Sequence, residues 1–509
     1  MKNSHTVARL LGEERWDELG QLLNSHLVRI GFSDPQAWPR VFTALPESWL
    51  DRHPRHQYLR AILDALPRPF TVIDVGATTR FAAWLDERQQ PLARDLITVQ
   101  LGRLQYARAL GNSTDALAAV EAIEKAIREA SEYTDFDDFL PSVFIPVGAT
   151  LLLMHDTSSA VAAFSEAVRW SRIDRGHPVE PHALNYLALA HTLNGDHLIA
   201  GVTAAEGVGR RSGPEGSFAH LYESAGLFVP ALLALASLNQ REAARAIAAI
   251  DRPANESELW ALAVHARARY ALMWGNRDDA VDMLERVLVS HRALSGADTL
   301  AGSLLRADLA DLYQSLGKLK SAERVLNGYV GTTPHPALET SRLRLLALRA
   351  DHDGVIERAH ALIEHSEFAS VSPTPAAWYV LCANAALATG EESAASEYTR
   401  QAGAAILRRG AFEAVTEASS ALMPQLLAIV GEQHRPSRAL YEAPTFSKLT
   451  PRETDILRAL SSEGTLNDLA AELYLSVNTL KTHLRNLYRK LGVQSREQAV
   501  RIARDYRLL

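Results

Sequence analysis

The sequence predicts an all-α chain, a helical-repeat solenoid followed by a small four-helix unit, and three observations predict it. A turn residue followed five positions later by a small or apolar residue recurs from Gly111 to Ala395. A polar stretch with two prolines, 431–448, breaks that pattern. Beyond it, Thr450, Thr465, Ser476 and Ser495 each stand where a hydroxyl can cap a short helix.

Composition narrows the class before any motif is read. With 509 residues and 47% apolar content the chain can bury a large core. Its sole cysteine, Cys382, excludes an intrachain disulfide framework and fits a reducing compartment, and no Cys/His cluster has structural-zinc spacing. The first residues, MKNSHTVARLLGEERWDEL, contain no apolar run of signal-peptide length, and the longest apolar stretch, Phe228 to Leu238, is too short to span a bilayer. A cytoplasmic chain with no membrane partner is expected. The net charge of −7 is unevenly divided: from Leu449 onward ten Lys and Arg face seven Asp and Glu, which leaves 43 against 53 for the rest. An acidic body discourages polyanions, whereas the basic end can bind them.

In chain order, ERWDELGQLL and ALPESWLDRHPRHQYLRAILDAL read as paired helices, with Pro46 and Pro54 near helix starts. FTVIDVG, from Phe70 to Gly76, is the one β-like run; with no GxGxxG after it, it reads as a buried link. The repeat then takes over. Gly111 precedes Ala116, Gly195 precedes Ala200, Gly275 precedes Ala280, Gly317 precedes Ala322 and Gly390 precedes Ala395. Weaker copies place His155 before Ala160, Asn239 before Ala244 and Asp351 before Ile356. Glycine tolerates the left-handed turn that ends a helix, Asn and Asp are the next best residues there, and the small residue lets the next helix approach. The marks lie 44, 40, 44, 36, 42, 34 and 39 residues apart, a helical-repeat period. Such stacks expose a concave groove suited to a peptide, a protein or a small effector.

Enzyme signatures are missing: no phosphate loop, HExxH, GxSxG or kinase set occurs, and SGPEGS (212–217) lacks the lysine of a phosphate loop. His155, His191 and Asp196 fall in repeat helices or turns, where packing or capping is their expected work. No catalytic residue, metal or cofactor is assigned.

In the tail, Thr450 with Pro451 and Glu453 opens a helix to Leu460, Thr465 with Asp468 opens a second to about Leu473, and Ser476 opens a third after a tight turn. Ser495 with Gln498 opens a fourth, Arg496 to about Arg504. In the third helix, 477–491, Val477, Leu480, Leu484, Leu487, Tyr488 and Leu491 form one apolar stripe; the opposite face carries Asn478, Lys481, Thr482, Arg485, Asn486 and Arg489, with no carboxylate among them. Two short helices joined by a tight turn, the second presenting such a face, describe a helix-turn-helix. Lys481, Thr482, Arg485 and Asn478 are the candidate base readers; Ser476, Thr479, Arg489 and Lys490 are the candidate phosphate contacts.

These segments carry a resemblance. LTPRETDILRAL, TLNDLAAELYLSVNTLKTHLRNLYRKLGV and SREQAV resemble the LuxR-type DNA-binding domain over about the last 60 residues, and the family's base-facing positions fall on Lys481, Thr482 and Arg485. Glu463 departs from the glycine usual before the second helix, with Gly464 beside it. The resemblance implies that the fourth helix serves dimerisation, through Arg496, Val500 and Ala503. AELYLSVNTLKTHLRNLYRKLG is most similar to the MalT-like branch, and ALPESWLDRHPRHQYLRA resembles the beginning of that branch's repeat region, while LADLYQSLGKLKSAERVL resembles tetratricopeptide-like units. Relative to that branch the ATPase module is missing, so DNA binding independent of ATP is expected.

The expected organisation is therefore a solenoid for sensing or interaction over 1–430, a linker over 431–448 and a LuxR-type helix-turn-helix domain over 449–509. The expected function is sequence-specific transcriptional regulation. Double-stranded DNA is the principal partner, with RNA polymerase, a small-molecule or protein effector in the solenoid groove, and a second copy on DNA as further candidates. The alternative is a solenoid adaptor between proteins whose tail keeps only a weak or vestigial nucleic-acid contact.

Overall fold

The computed structural model describes residues 2–34, 37–65, 75–130, 133, 136–173, 176–209, 219–250, 258–292, 295–296, 298–329, 335–364, 375–441, 449–461, 464–491 and 493–505. Among them the regular elements are all helical. Most of FTVIDVG, all of SGPEGS and the departure at Glu463 lie outside the described residues, while Val75 and Gly76 open the helix Val75–Asp86. The N-terminal pairs are more broken than their sequence pattern suggested. Trp16–Ser33 kinks at His26, and Pro46 and Pro54 each begin a new helix, Glu47–Leu50 and Pro54–Ala65.

From Ala93 onward the described residues form eight helical hairpins, the first pairing Ala93–Ala109 with Ser113–Glu129 and the last Ala376–Thr389 with Glu392–Arg409. Each leading helix also packs on the leading helix of the next hairpin, so it is covered on several sides. Leu300–Ser315 is accordingly buried along nearly its whole length, whereas its partner Leu319–Asn327 buries only the stripe Leu319, Ala322 and Leu326. Approach within a hairpin is close: at Gly148 a Cβ would stand 2.6 Å from the Phe164 ring, so any other residue there pushes the two helices apart.

The turns obey one rule, and it corrects two expected registers. The left-handed residue is followed directly by the residue at the helix-cap position, and the small buried residue comes five positions after the left-handed one. Gly111, His155, Gly195, Gly317 and Gly390 have φ between 68° and 83°, and Ala116, Ala160, Ala200, Ala322 and Ala395 are buried. At the other two weaker copies the register shifts by one. Leu238 (φ 58°) and Ala350 (φ 58°) take the turn, while Asn239 and Asp351 are caps, accepting from the Glu242 and Gly354 amides. The buried positions are thus Ala243 and Val355, not Ala244 and Ile356. Asn and Asp suit both jobs, but only a cap uses the side-chain oxygen. Gly275 is the other exception. Its φ is not positive, and a Cβ would lie 2.9 Å from Ala271 Cα, so the glycine serves close approach rather than handedness.

The stack does not stay an open groove. Leu140–Leu153 touches Leu300–Ser315, and His197–Gly209 touches Glu392–Arg409, so early repeats meet late ones. At these seams Ser303 Oγ lies 2.9 Å from His155 Nε2, the His155 and His335 rings are 4.7 Å apart, and His197 Nε2 is 3.4 Å from Glu413 Oε1. The curled stack surrounds a cavity of about 760 Å³. The segment expected as a linker is also divided. Residues 442–448 lie outside the described residues, but 431–441 runs back across the repeats, with Leu440 buried in their core.

Candidate nucleic-acid interface

The C-terminal unit is built by its caps. Thr450 Oγ1 accepts from the Glu453 amide while Glu453 Oε2 accepts from the Thr450 amide at 2.7 Å, opening Pro451–Ala459. Thr465 and Asp468 make the same reciprocal pair at the start of Leu466–Glu472. Ser476 Oγ accepts from the Thr479 amide at 3.1 Å to open Val477–Leu491, and Ser495 Oγ accepts from the Gln498 amide at 3.2 Å to open Arg496–Asp505. Gly464 holds a φ of 153°, and its carbonyl accepts from Arg496 Nη1 at 2.6 Å, tying the second helix's approach to the fourth helix.

Leu480, Leu484, Leu487 and Leu491 fill the small core with Ile456, Leu457, Leu469 and Ala499. That packing fixes which side of Val477–Leu491 faces out. Asn478, Lys481, Thr482, Arg485 and Arg489 are all exposed, and among the described residues no carboxylate pairs with Lys481, Arg485 or Arg489. Asn486 is only half-exposed. Thr482 donates its hydroxyl to the Asn478 carbonyl at 3.1 Å, and the Ser476 and Thr479 hydroxyls lie 2.8 Å apart at the helix start.

Three expected residues sit differently. Lys490 is not an unopposed cation: its Nζ lies 2.6 Å from Glu453 Oε2, because the helix has turned it toward the first helix rather than outward. Ala503 is fully buried, so it closes the core and offers nothing to a second copy. Arg496 donates to the Leu460 carbonyl at 3.1 Å as well as to Gly464, which leaves Val500, half-buried, as the one residue of the three with free apolar surface.

Sequence reading missed Tyr474. It occupies the turn before Val477–Leu491 with φ 55° and is 95% exposed, beside the Ser476 cap. Its isolation is a tertiary fact; the only signal was an aromatic residue in a turn where Gly, Asn or Asp is favoured.

A second polar site is the cavity. His155, His265, His335, Asp308, Asp311, Arg269, Arg344 and Glu417 are among its lining residues. Arg344 donates to Glu417 at 2.6 and 2.8 Å and to Asp311, while Arg269 donates to Asp311 at 2.8 Å. Burial pushes the His155 imidazole down to about 4 and holds His335 well below its usual range, so both rings are neutral at pH 7. Among the described residues no group of three or more His, Cys, Asp or Glu is placed to hold a metal ion, and no helix is long and apolar enough to cross a membrane.

The arrangement of Leu466–Glu472, the turn at Tyr474 and Val477–Leu491 is that of a DNA-binding helix-turn-helix. Residues 447–503 match the family of bacterial regulatory proteins described as the luxR family. Relatives match over short stretches. "Uncharacterized transcriptional regulatory protein YhcZ" of Bacillus subtilis (strain 168) is 38% identical over 90 residues, 18% of this chain and 40% of the relative. The CsgBAC operon transcriptional regulatory protein of Escherichia coli (strain K12) is 43% identical over 65 residues, 13% of this chain and 30% of the relative. The chain thus spans less than half the length of either relative.

Proposed function

We propose that the protein is a sequence-specific, DNA-binding transcriptional regulator of the cytoplasm, similar in layout to MalT-like regulators. Val477–Leu491 enters the major groove, and the repeat ring receives an effector or partner. The observation that carries this reading is the outward row Asn478, Lys481, Thr482, Arg485 and Arg489, exposed and free of carboxylates on the second helix of a helix-turn-helix. Lys481 and Arg485 suit guanine O6 and N7, Asn478 suits adenine, and the Thr482 methyl suits thymine. Ser476, Thr479 and Arg489 flank them as phosphate contacts, where the N-terminal dipole and a cation favour the backbone.

One such helix reads few base pairs, so two copies on neighbouring half-sites are proposed, with Val500 the residue best placed to contribute between them. The ring's cavity, with largely apolar walls and a cluster of charged and imidazole groups, suits an effector with an apolar body and a polar group, and RNA polymerase is proposed as a partner on the promoter. The test is binding of the full chain and of a chain lacking 449–509 to a randomised duplex library, with selection and sequencing. Enrichment of one motif by the full chain alone supports the reading. Equal retention of all duplexes by both chains refutes it and leaves a protein adaptor.

A further inference from the structure

Residues 435–441 lie between the last repeat and the C-terminal unit, and they are not slack. Arg438 Nη2 donates to the carbonyls of Leu272 at 2.8 Å, Ala271 at 3.2 Å and Gly275 at 3.4 Å, at the C-terminal end of Trp260–Met273. Leu440 is 4% exposed. The Arg344 guanidinium stands 4.0 Å from the centre of the Tyr441 ring, the geometry of a cation–π contact. Arg344, Asp311, Arg269 and Glu417, the cluster that seats this ring, also line the cavity. One stage back, the His434 ring stacks on Phe412 at 3.6 Å, a separate anchor.

Apart from the exposure of Leu440, the docked contacts can part without stranding a buried charge. If Tyr441 leaves, Arg344 keeps both Asp311 and Glu417, so no buried charge is stranded. If Arg438 leaves, the Leu272 carbonyl keeps Arg277 Nε at 3.0 Å and the Ala271 carbonyl keeps the Gly275 amide at 3.0 Å. The docked state also carries a penalty, because the Tyr441 hydroxyl is buried with no hydrogen-bond partner among the described residues. Release returns that hydroxyl to water.

We propose that residues 435–441 form a releasable latch on the repeat ring, and that its docking sets how far the C-terminal unit can reach. With Tyr441 seated, Leu449 is eight residues away and can lie at most ~29 Å from it. With the latch free and only His434 anchored, Leu449 is fifteen residues away and the limit rises to ~54 Å. The functional consequence rests on the DNA-binding reading of that unit, but the latch itself does not.

The test uses the full chain without DNA, so failure of the latch and failure of the DNA-binding reading are distinguishable. Tyr441→Ala and Arg438→Ala are expected to speed amide exchange over 437–441 about tenfold or more while exchange in Leu300–Ser315 stays as in the parent. Small-angle scattering should show the maximum dimension growing by up to ~25 Å. Tyr441→Phe removes the orphan hydroxyl and should act in the opposite sense, slowing that exchange a few-fold. Exchange over 437–441 unchanged in both alanine variants, or exchange accelerated with no growth in maximum dimension, overturns the proposal. Tyr441→Phe behaving like Tyr441→Ala overturns it as well.

Discussion

Glu453 and Lys490 meet at 2.6 Å, and through that contact one carboxylate serves two helices. The same Oε2 caps Pro451–Ala459 at the Thr450 amide and anchors the far end of Val477–Leu491. The orientation of the outward row therefore depends on a residue that never faces out.

Glu453→Ala is expected to cost the C-terminal unit about 2.5–4 kcal/mol, a cap of about 1 plus a charged hydrogen bond of about 1.5–3. All eight tryptophans precede Leu449, so tryptophan fluorescence reports the ring and not this unit; exchange of the Leu480–Leu487 amides is the measurement. Acid acts at the same point. Burial works to raise the Glu453 carboxyl, but Lys490 and Thr450 hold it below its ordinary 4.5. The stability it adds is thus present above about pH 4.5 and is lost as pH falls through the lowered value. Glu453→Gln should flatten that acid dependence.

Arg485 and Arg489 should fail differently. Arg485→Ala is expected to cost about 1–3 kcal/mol on the selected motif and little on random duplex. Arg489→Ala should weaken both alike and lower the magnitude of the salt slope by roughly one unit. Lys490→Ala should act instead through stability, since its charge is committed to Glu453. Fluorescence anisotropy at several salt concentrations separates the three; equal, sequence-independent losses from Arg485 and Arg489 would mean Arg485 reads no base.

Tyr474 is the cleanest separation of fold from binding. Tyr474→Asn keeps a residue that tolerates φ 55° and deletes a ring that is 95% exposed, so the amide-exchange stability of the unit should change by less than about 1 kcal/mol. DNA affinity should still fall a few-fold if the ring lies along the backbone beside Ser476. Unchanged affinity in an anisotropy titration would assign Tyr474 no part in binding.

The ring should lose stability in mild acid. Because burial depresses His155 to about 4, unfolding takes up a proton there between pH 6.5 and 4, and stability falls as pH falls across that window. The loss is about 1.4 kcal/mol per pH unit for each such group and stops below the folded value. His335, held well below its usual range by burial, adds a second. His155→Asn, which tolerates the left-handed turn, should remove one group's share of the slope in urea unfolding followed by tryptophan fluorescence.

What the sequence made legible was chemistry between near neighbours. The caps at Thr450, Thr465, Ser476 and Ser495 are side chains three residues from their amides, and Val477–Leu491 shows its stripe at helical spacing. The left-handed glycines at 111, 195, 317 and 390 were readable because φ belongs to one residue. Asn239 and Asp351 were placed one position early because their side chains suit turn and cap alike, and only the neighbouring Leu238 and Ala350 settle the register. Lys490 against Glu453, Arg344 between Asp311 and Glu417, and Tyr441 on Arg344 join residues 37, 33, 73 and 97 positions apart, and nothing in a local pattern encodes such meetings.

The contact of Ser303 with His155 spans 148 residues, and His197 meets Glu413 across a still longer stretch. An open array of repeats folds as a one-dimensional chain of neighbours, in which a nucleus forms anywhere and spreads outward. Closing the array on itself ends that independence. The seam bonds form only when both distant arms are already in place, so the loop-closure entropy of the intervening repeats is paid late and folding slows accordingly. The return is cooperativity: fraying of the Glu392–Arg409 end is felt at once by His197–Gly209, and the repeats unfold together rather than peel away in turn.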